Sequence, residues 1–223
     1  MQSHEYYMKL CFEEAKKGLG FVAPNPLVGA VLVKDNKILA KGYHKAYGEE
    51  HAEINCLKQV NKEDAKGATL YVNIEPCCHW GHTPPCVQAI IDYNIAKVVI
   101  SNEDIDDRMC GNSIKILLQN GINIIKDVLY EEGYALNSIY FFYKKHKRPY
   151  IILKTAMTLD SKIATINNES KWISCKQSRL IVQKLRTQLS AIVIGKNTFL
   201  TDKPSLTCRL PGYENKPIHK LIF

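Results

Sequence analysis

Four short apolar runs, at residues 28–33, 69–74, 97–101 and 122–125, alternate with stretches whose apolar residues recur at helical spacing. This alternation constrains the fold more than any other feature of the chain. Strand-length runs rich in Val, Ile and Leu need apolar cover, and the intervening helices supply it. Residues 6–17 place Tyr7, Leu10, Cys11 and Ala15 at helical spacing and stop before Gly18 and Gly20. Residues 38–43 read as the hairpin partner of 28–33 across Lys34-Asp35-Asn36-Lys37. Further helices are expected at 50–60, with Ala52, Cys56 and Val60 on one face, at 84–93, opened by proline, and at 113–120 and 131–143. The expected fold class is α/β, a central sheet with helices on its faces.

Charge divides the chain where this pattern ends. The 223 residues carry a formal net charge of +8, yet residues 1–143 hold 14 Lys/Arg against 18 Asp/Glu. The basic run Lys144-Lys145-His146-Lys147-Arg148 follows, and residues 149–223 hold 12 basic against 4 acidic residues. The step marks two modules, residues 1–145 and 149–223, joined by a basic linker. The second opens strand-like at 150–156. Ser174-Cys175-Lys176-Gln177 has capping-box spacing and starts a helix to about Arg186. A buried-strand run follows at 191–195, and residues 218–223 read as a strand with no partner, so this domain is expected to be cut short.

No apolar run approaches the about 18–20 residues that span a bilayer, and the opening MQSHEYYMKL lacks the apolar stretch of a signal peptide. Secreted and membrane-spanning classes fall away, and a cytoplasmic protein with reduced thiols is expected. Of its eight cysteines, Cys11, Cys56, Cys110, Cys175 and Cys208 are scattered and read as small, partly buried apolar residues. The other three cluster.

The chemistry concentrates in His51-Ala52-Glu53 and Pro76-Cys77-Cys78-His79-Trp80-Gly81-His82-Thr83-Pro84-Pro85-Cys86. A catalytic zinc site presents three protein ligands and leaves the fourth position open. His51 at a helix start, with Cys77 and Cys86 bracketing a loop, supplies three. Glu53, two residues further on, turns past the metal to face what the metal binds. H-x-E with P-C is the signature of zinc deaminases, in which zinc (Zn2+) activates water and the Glu shuttles protons. Cys78, His79 and His82 compete as ligands. Adjacent Cys77 and Cys78 can hardly both point at one ion, and mid-loop His79 and His82 suit substrate contact or solvent.

The long loop from Cys77 to Cys86, with Pro24-Asn25-Pro26-x-Val28-Gly29 upstream, resembles the bifunctional deaminase/reductases of riboflavin biosynthesis (RibD type). The resemblance continues through residues 154–160, 169–173 and 194–207, and so covers essentially the whole chain. It implies a cytidine-deaminase-like α/β/α layered domain followed by the N-terminal part of a dihydrofolate-reductase-like α/β domain. The first would hydrolyse an amino group from 2,5-diamino-6-ribosylamino-4(3H)-pyrimidinone 5′-phosphate, with Glu53 as proton shuttle and His51, Cys77 and Cys86 on zinc. Asn25 would orient the pyrimidine, or serve as a turn residue between two prolines.

The second domain, by the same resemblance, would use NADPH to reduce the ribosyl chain. Ala156, Trp172, Thr198 and Asp202 would meet the cofactor, and Ser170, Arg186, Leu206 and Arg209 the phosphorylated substrate. Arg186 also suits a helix C-terminus on dipole grounds alone. The resemblance further implies a homo-oligomer and a small-molecule pyrimidine nucleotide as partner.

This sequence departs from the family at several places. Cys78 stands where Ser is usual, His82 where Arg is usual, and Ser161 where Gly follows the Asp. Residues 104–112 lack the expected proline-rich turn, and the chain stops before the glycine-rich cofactor loop. Impaired or absent reductase activity is therefore expected. Two rivals are a nucleic-acid deaminase and a non-catalytic remnant. Against the first, Tyr150, Trp172, Phe199, Tyr213 and Phe223 are too widely spaced for a base-stacking platform.

Overall fold

Successive residues of a strand point to opposite faces, so a sheet covered on both sides sorts its apolar side chains into two cores. A computed structural model, which describes residues 2–81, 84–106 and 111–223, shows this sorting. The chain divides into two compact units, Met1–Tyr150 and Ile151–Phe223. In the first, β1 (Gly29–Lys34) and β2 (Lys37–Tyr43) form the expected antiparallel hairpin. With β3 (Thr69–Ile74), β4 (Lys97–Asn102) and β5 (Asn123–Ile125) they make a sheet of order β2-β1-β3-β4-β5. β1 pairs antiparallel with β3, whereas β3, β4 and β5 run parallel.

On one face, Val31, Val33, Tyr71 and Val99 pack against Tyr7, Met8, Cys11 and Phe12 of α1 (His4–Lys16). On the other, Leu32, Leu70, Val72, Val98 and Ile100 pack against three helices, α2 (Ala52–Leu57), α4 (Cys86–Asp92) and α5 (Asn112–Gln119). Each fully buried Leu or Val contributes roughly 1.5–3 kcal/mol, so this double core carries the unit. Gly42 lets α2 reach the sheet. A Cβ there would lie 2.4 Å from the Cys56 amide nitrogen and 2.6 Å from the Ala52 carbonyl.

Several expected elements are redrawn. The helix expected at 50–60 ends at Leu57, and a short α3 (Lys62–Ala65), capped by Asn61, follows it. The helix expected from residue 84 starts at Cys86 with Pro85 as its cap. The single helix expected at 131–143 is two, α6 (Tyr130–Leu136) and α7 (Ser138–His146), interrupted at Asn137. The break has a tertiary cause. Asn137 Oδ1 accepts from the Leu27 amide at 2.8 Å, and its Nδ2 donates to the Leu27 carbonyl at 2.9 Å. Asn73 grips the same segment from β3, donating to the Leu27 carbonyl at 2.9 Å and accepting from the Gly29 amide at 2.7 Å.

In the second unit, α8 (Lys176–Arg186) begins one residue later than the capping box implies. Its cap is Cys175, whose Sγ lies 3.4 Å from Ser178 Oγ. β6 (Ala191–Ile194) leads into α9 (Lys196–Asp202) and pairs in parallel with β7 (His219–Ile222), from Ala191↔His219 to Ile194↔Ile222. The last strand, expected to lack a partner, therefore has one. The strand expected at 150–156 does not form, and Ile151 and Leu153 are exposed. Without a neighbouring strand to share its amides, an apolar run of that kind gains no ladder. No helix among the described residues is long and apolar enough to cross a membrane.

Candidate metal centre and its cavity

Three segments, the first separated from the others by 26 residues or more, meet at the edge of the larger core. His51 caps α2 with an extended backbone, Cys77 follows the end of β3, and Cys86 opens α4. His51 Nδ1 lies 3.4 Å from Cys77 Sγ and 3.3 Å from Cys86 Sγ. The three ligand atoms fall within 4.8 Å of one another. Cys78 and His79, the competing candidates, are not part of this group. Cys78 packs partly buried against the core and His79 lines the adjoining cavity. His82 lies outside the described residues.

The protons on this cluster show what it is suited to hold. The hydrogen bond from Cys86 draws the Cys77 thiol down to about 4, and the same contact drives Cys86 well above the ordinary thiol range. His51 is raised to about 9, chiefly by its hydrogen bond with Cys77. One thiolate, one thiol and an imidazolium thus share two protons where a divalent cation fits in their place. Two sulfurs and one imidazole nitrogen are a borderline-soft donor set that matches zinc.

Glu53 lies in the first turn of α2, is 3% exposed, and is pushed up to about 7 by burial. It faces a cavity of about 520 Å³ that also takes in Asn25, His44, His51 and Cys77. His44, which the sequence reading did not single out, is buried at the end of β2. Its Nδ1 faces the Glu50 carbonyl at 3.0 Å and its Nε2 faces Asn25 Nδ2 at 3.1 Å. A carbonyl only accepts, so Nδ1 carries the proton and neutral Nε2 accepts from Asn25. Burial lowers the His44 pKa, which agrees with that tautomer. Its ring meets His51 edge-on, with centroids 5.4 Å apart. The seven-residue interval to His51 matches no common motif, so the sequence offered only a buried His after a strand as its signal.

The remaining wall of the cavity is built by a network. Glu75 accepts from the Asp104 amide at 3.2 Å, the Gly111 amide at 3.0 Å and Ser113 Oγ at 2.5 Å. Asp104 in turn accepts from the Tyr140 hydroxyl at 2.9 and 3.0 Å and from the Asp106 amide at 2.9 Å. Lys144 pairs with Asp106. The expectation of altered substrate contacts at 104–112 falls partly on residues 107–110, which lie outside the described residues.

Residues 1–102 match a family profile described as the cytidine and deoxycytidylate deaminase zinc-binding region, and residues 149–222 match the RibD C-terminal domain. The riboflavin biosynthesis protein RibD of Actinobacillus pleuropneumoniae is 47% identical over 206 residues, 92% of this chain. That of Aquifex aeolicus is 45% identical over 216 residues, 97% of this chain. The chain is thus similar to RibD proteins along nearly its whole length. It spans 54% and 60% of the length of those two relatives. The crystal structure of a diaminohydroxyphosphoribosylaminopyrimidine deaminase/5-amino-6-(5-phosphoribosylamino)uracil reductase from Thermotoga maritima is 44% identical. It superposes with a TM-score of 0.90 over 98% of this chain and 62% of that one.

Within the RibD C-terminal match, some expected residues gather and others do not. Arg186 donates to the Thr207 carbonyl at 2.7 Å, and the Arg209 amide donates to Gln183 Oε1 at 2.9 Å. Arg186 and Arg209 are thereby held on either side of buried Leu206 in sequence, and burial followed by the Arg209 charge lowers the Arg186 pKa. Trp172 is exposed, with the Arg179 guanidinium 4.2 Å from its ring centroid. Thr198 and Asp202 lie on α9, while Ala156 and Ser170 sit half-buried in the irregular stretch before α8. A cavity of about 260 Å³ in this unit is lined by residues that include Thr158, Asp160, Lys162 and Glu169, and by none of the eight expected residues.

Proposed function

We propose that the first unit is a zinc-dependent deaminase that hydrolyses the amino group of 2,5-diamino-6-ribosylamino-4(3H)-pyrimidinone 5′-phosphate in riboflavin biosynthesis. The observation that carries this reading is the buried Glu53 at the same cavity as the close group His51, Cys77 and Cys86. Those three hold zinc, whose contribution when bound is a Lewis acid that acidifies water near neutral pH. Glu53 accepts one proton of the attacking water and passes it to the ring nitrogen, then takes the second from the new hydroxyl and hands it to the departing amine. The water oxygen ends as the new carbonyl and ammonia leaves. Asn25, fixed by His44, orients the pyrimidine.

Residues 149–223 are read as contributing to NADPH and substrate contact through Ala156, Trp172, Thr198 and Asp202 and through Ser170, Arg186, Leu206 and Arg209. The RibD C-terminal match supports that reading. A cytoplasmic homo-oligomer is the expected setting. The test incubates zinc-loaded protein with the pyrimidine phosphate, with tRNA and with single-stranded DNA, alongside Glu53→Gln. Ammonia from the pyrimidine phosphate alone, lost in the variant, supports the deaminase. Equal release by wild type and variant refutes it. A fluorescence titration with NADPH tests the second unit separately.

A further inference from the structure

A phosphorylated nucleotide brings a dianion into a cavity whose wall is rich in carboxylates. Glu49, Glu53, Glu75, Asp104 and Asp106 all line it. Among the described lining residues, Lys144 is the one that carries a fixed positive charge. We propose that Lys144 is the residue by which this cavity recognises the phosphate of its nucleotide, held in position until then by Asp106. The inference rests on the deaminase reading given above.

Three features of Lys144 support this role. Its side chain is 18% exposed and that of Asp106 is 11% exposed, so the charge is shielded from bulk water and salt. An ammonium group has three donors. Asp106 takes one face of it and the ring of Tyr140 lies 5.5 Å away, which leaves donor capacity toward the cavity. The support is also stiff. The Asp106 amide bonds Asp104, Asp104 accepts from Tyr140 four residues before Lys144 in sequence, and the Asp104 amide is anchored on Glu75. When a phosphate takes up Lys144, Asp106 stays tied to this network and cannot travel with it. A lysine in the last turn of α7 is also favoured by the helix dipole, so an ion pair of purely structural value is the competing explanation.

The two explanations differ in what they do to a ligand without its phosphate. The experiment measures calorimetric binding of the pyrimidine ribosylamino phosphate and of its dephosphorylated form to zinc-loaded Glu53→Gln protein, which holds substrate without turnover. Lys144→Met and Lys144→Arg are added to that background. Charge-assisted bonds correspond to a loss of about 10- to 100-fold in affinity. That loss is expected for the phosphorylated ligand with Lys144→Met, with recovery in Lys144→Arg and no change for the dephosphorylated ligand. Equal weakening of both ligands assigns the pair to structure and overturns the proposal. Unchanged binding of the phosphorylated ligand overturns it as well. Ammonia release by the parent protein is assayed in parallel. Its absence, beside phosphate-dependent binding through Lys144, refutes the deaminase reading while leaving the phosphate contact standing.

Discussion

Asn25 donates its side-chain amide to Nε2 of His44 at 3.1 Å, and His44 can accept only because its other nitrogen is committed to the Glu50 carbonyl. The pair turns a turn-forming Asn between two prolines into a fixed donor and acceptor at the cavity.

His44→Ala removes the acceptor that orients Asn25 and the ring that meets His51 edge-on. The expected result is a fall of about 10- to 100-fold in kcat/KM, of the size that follows loss of substrate positioning. Zinc content should stay at wild-type level, because His44 is not among the close donors. Steady-state kinetics with metal analysis on the same sample checks both halves.

Metal retention should separate the cysteines. Cys77→Ser and Cys86→Ser are expected to lose most of about one bound zinc per chain, whereas Cys78→Ser retains it. Cobalt substitution gives an independent readout, since the intense thiolate-to-metal absorbance should persist only in the Cys78 variant. Retention by Cys77→Ser would mean that the ligand set is wrong.

The buried Asp104 carboxyl has a pKa raised above its ordinary 3.8, mainly by burial. The native state therefore holds this proton more tightly than the unfolded chain does. Its contribution to stability is complete below 3.8 and is lost as pH rises through the elevated native value. Asp104→Asn should flatten this part of the stability–pH curve, measured by urea denaturation at several pH values above 4. An unchanged slope would count against the assignment.

Gly42→Ala places a Cβ against the backbone of α2, where no flexible side chain can yield. Overpacking of this kind costs about 1–3 kcal/mol. A lowered urea midpoint is expected, together with weaker zinc retention, because α2 carries His51 at its start. A midpoint equal to wild type would show that α2 can move away freely.

The alternating runs made the first unit legible because β1, β3 and β4 are buried on both faces, which leaves an apolar signature, while the edge strands β2 and β5 are only partly buried. The close approach of His51, Cys77 and Cys86 was legible for a different reason: they are chemically unusual residues at unusual intervals. Other features depend on partners distant in sequence. Helices α6 and α7 separate because Asn137 bonds Leu27, 110 residues away. Asn73 holds the same segment across 46 residues. His44 drew no notice because its role comes from Glu50 and Asn25 together. In residues 149–223 the apolar run at 150–156 matched a strand by composition, yet composition cannot supply a neighbour to pair with.

Glu75 ties off both flanks of one connection: a single oxygen receives the amides of Asp104 and Gly111. Like a drawstring, it sets the width of the opening whatever runs between its ends. Because both anchors are backbone amides, this tie between the end of β4 and the start of α5 does not depend on the side chains at its two ends. An exchange at Asp104 therefore bears on which ligands the cavity admits and leaves this frame intact.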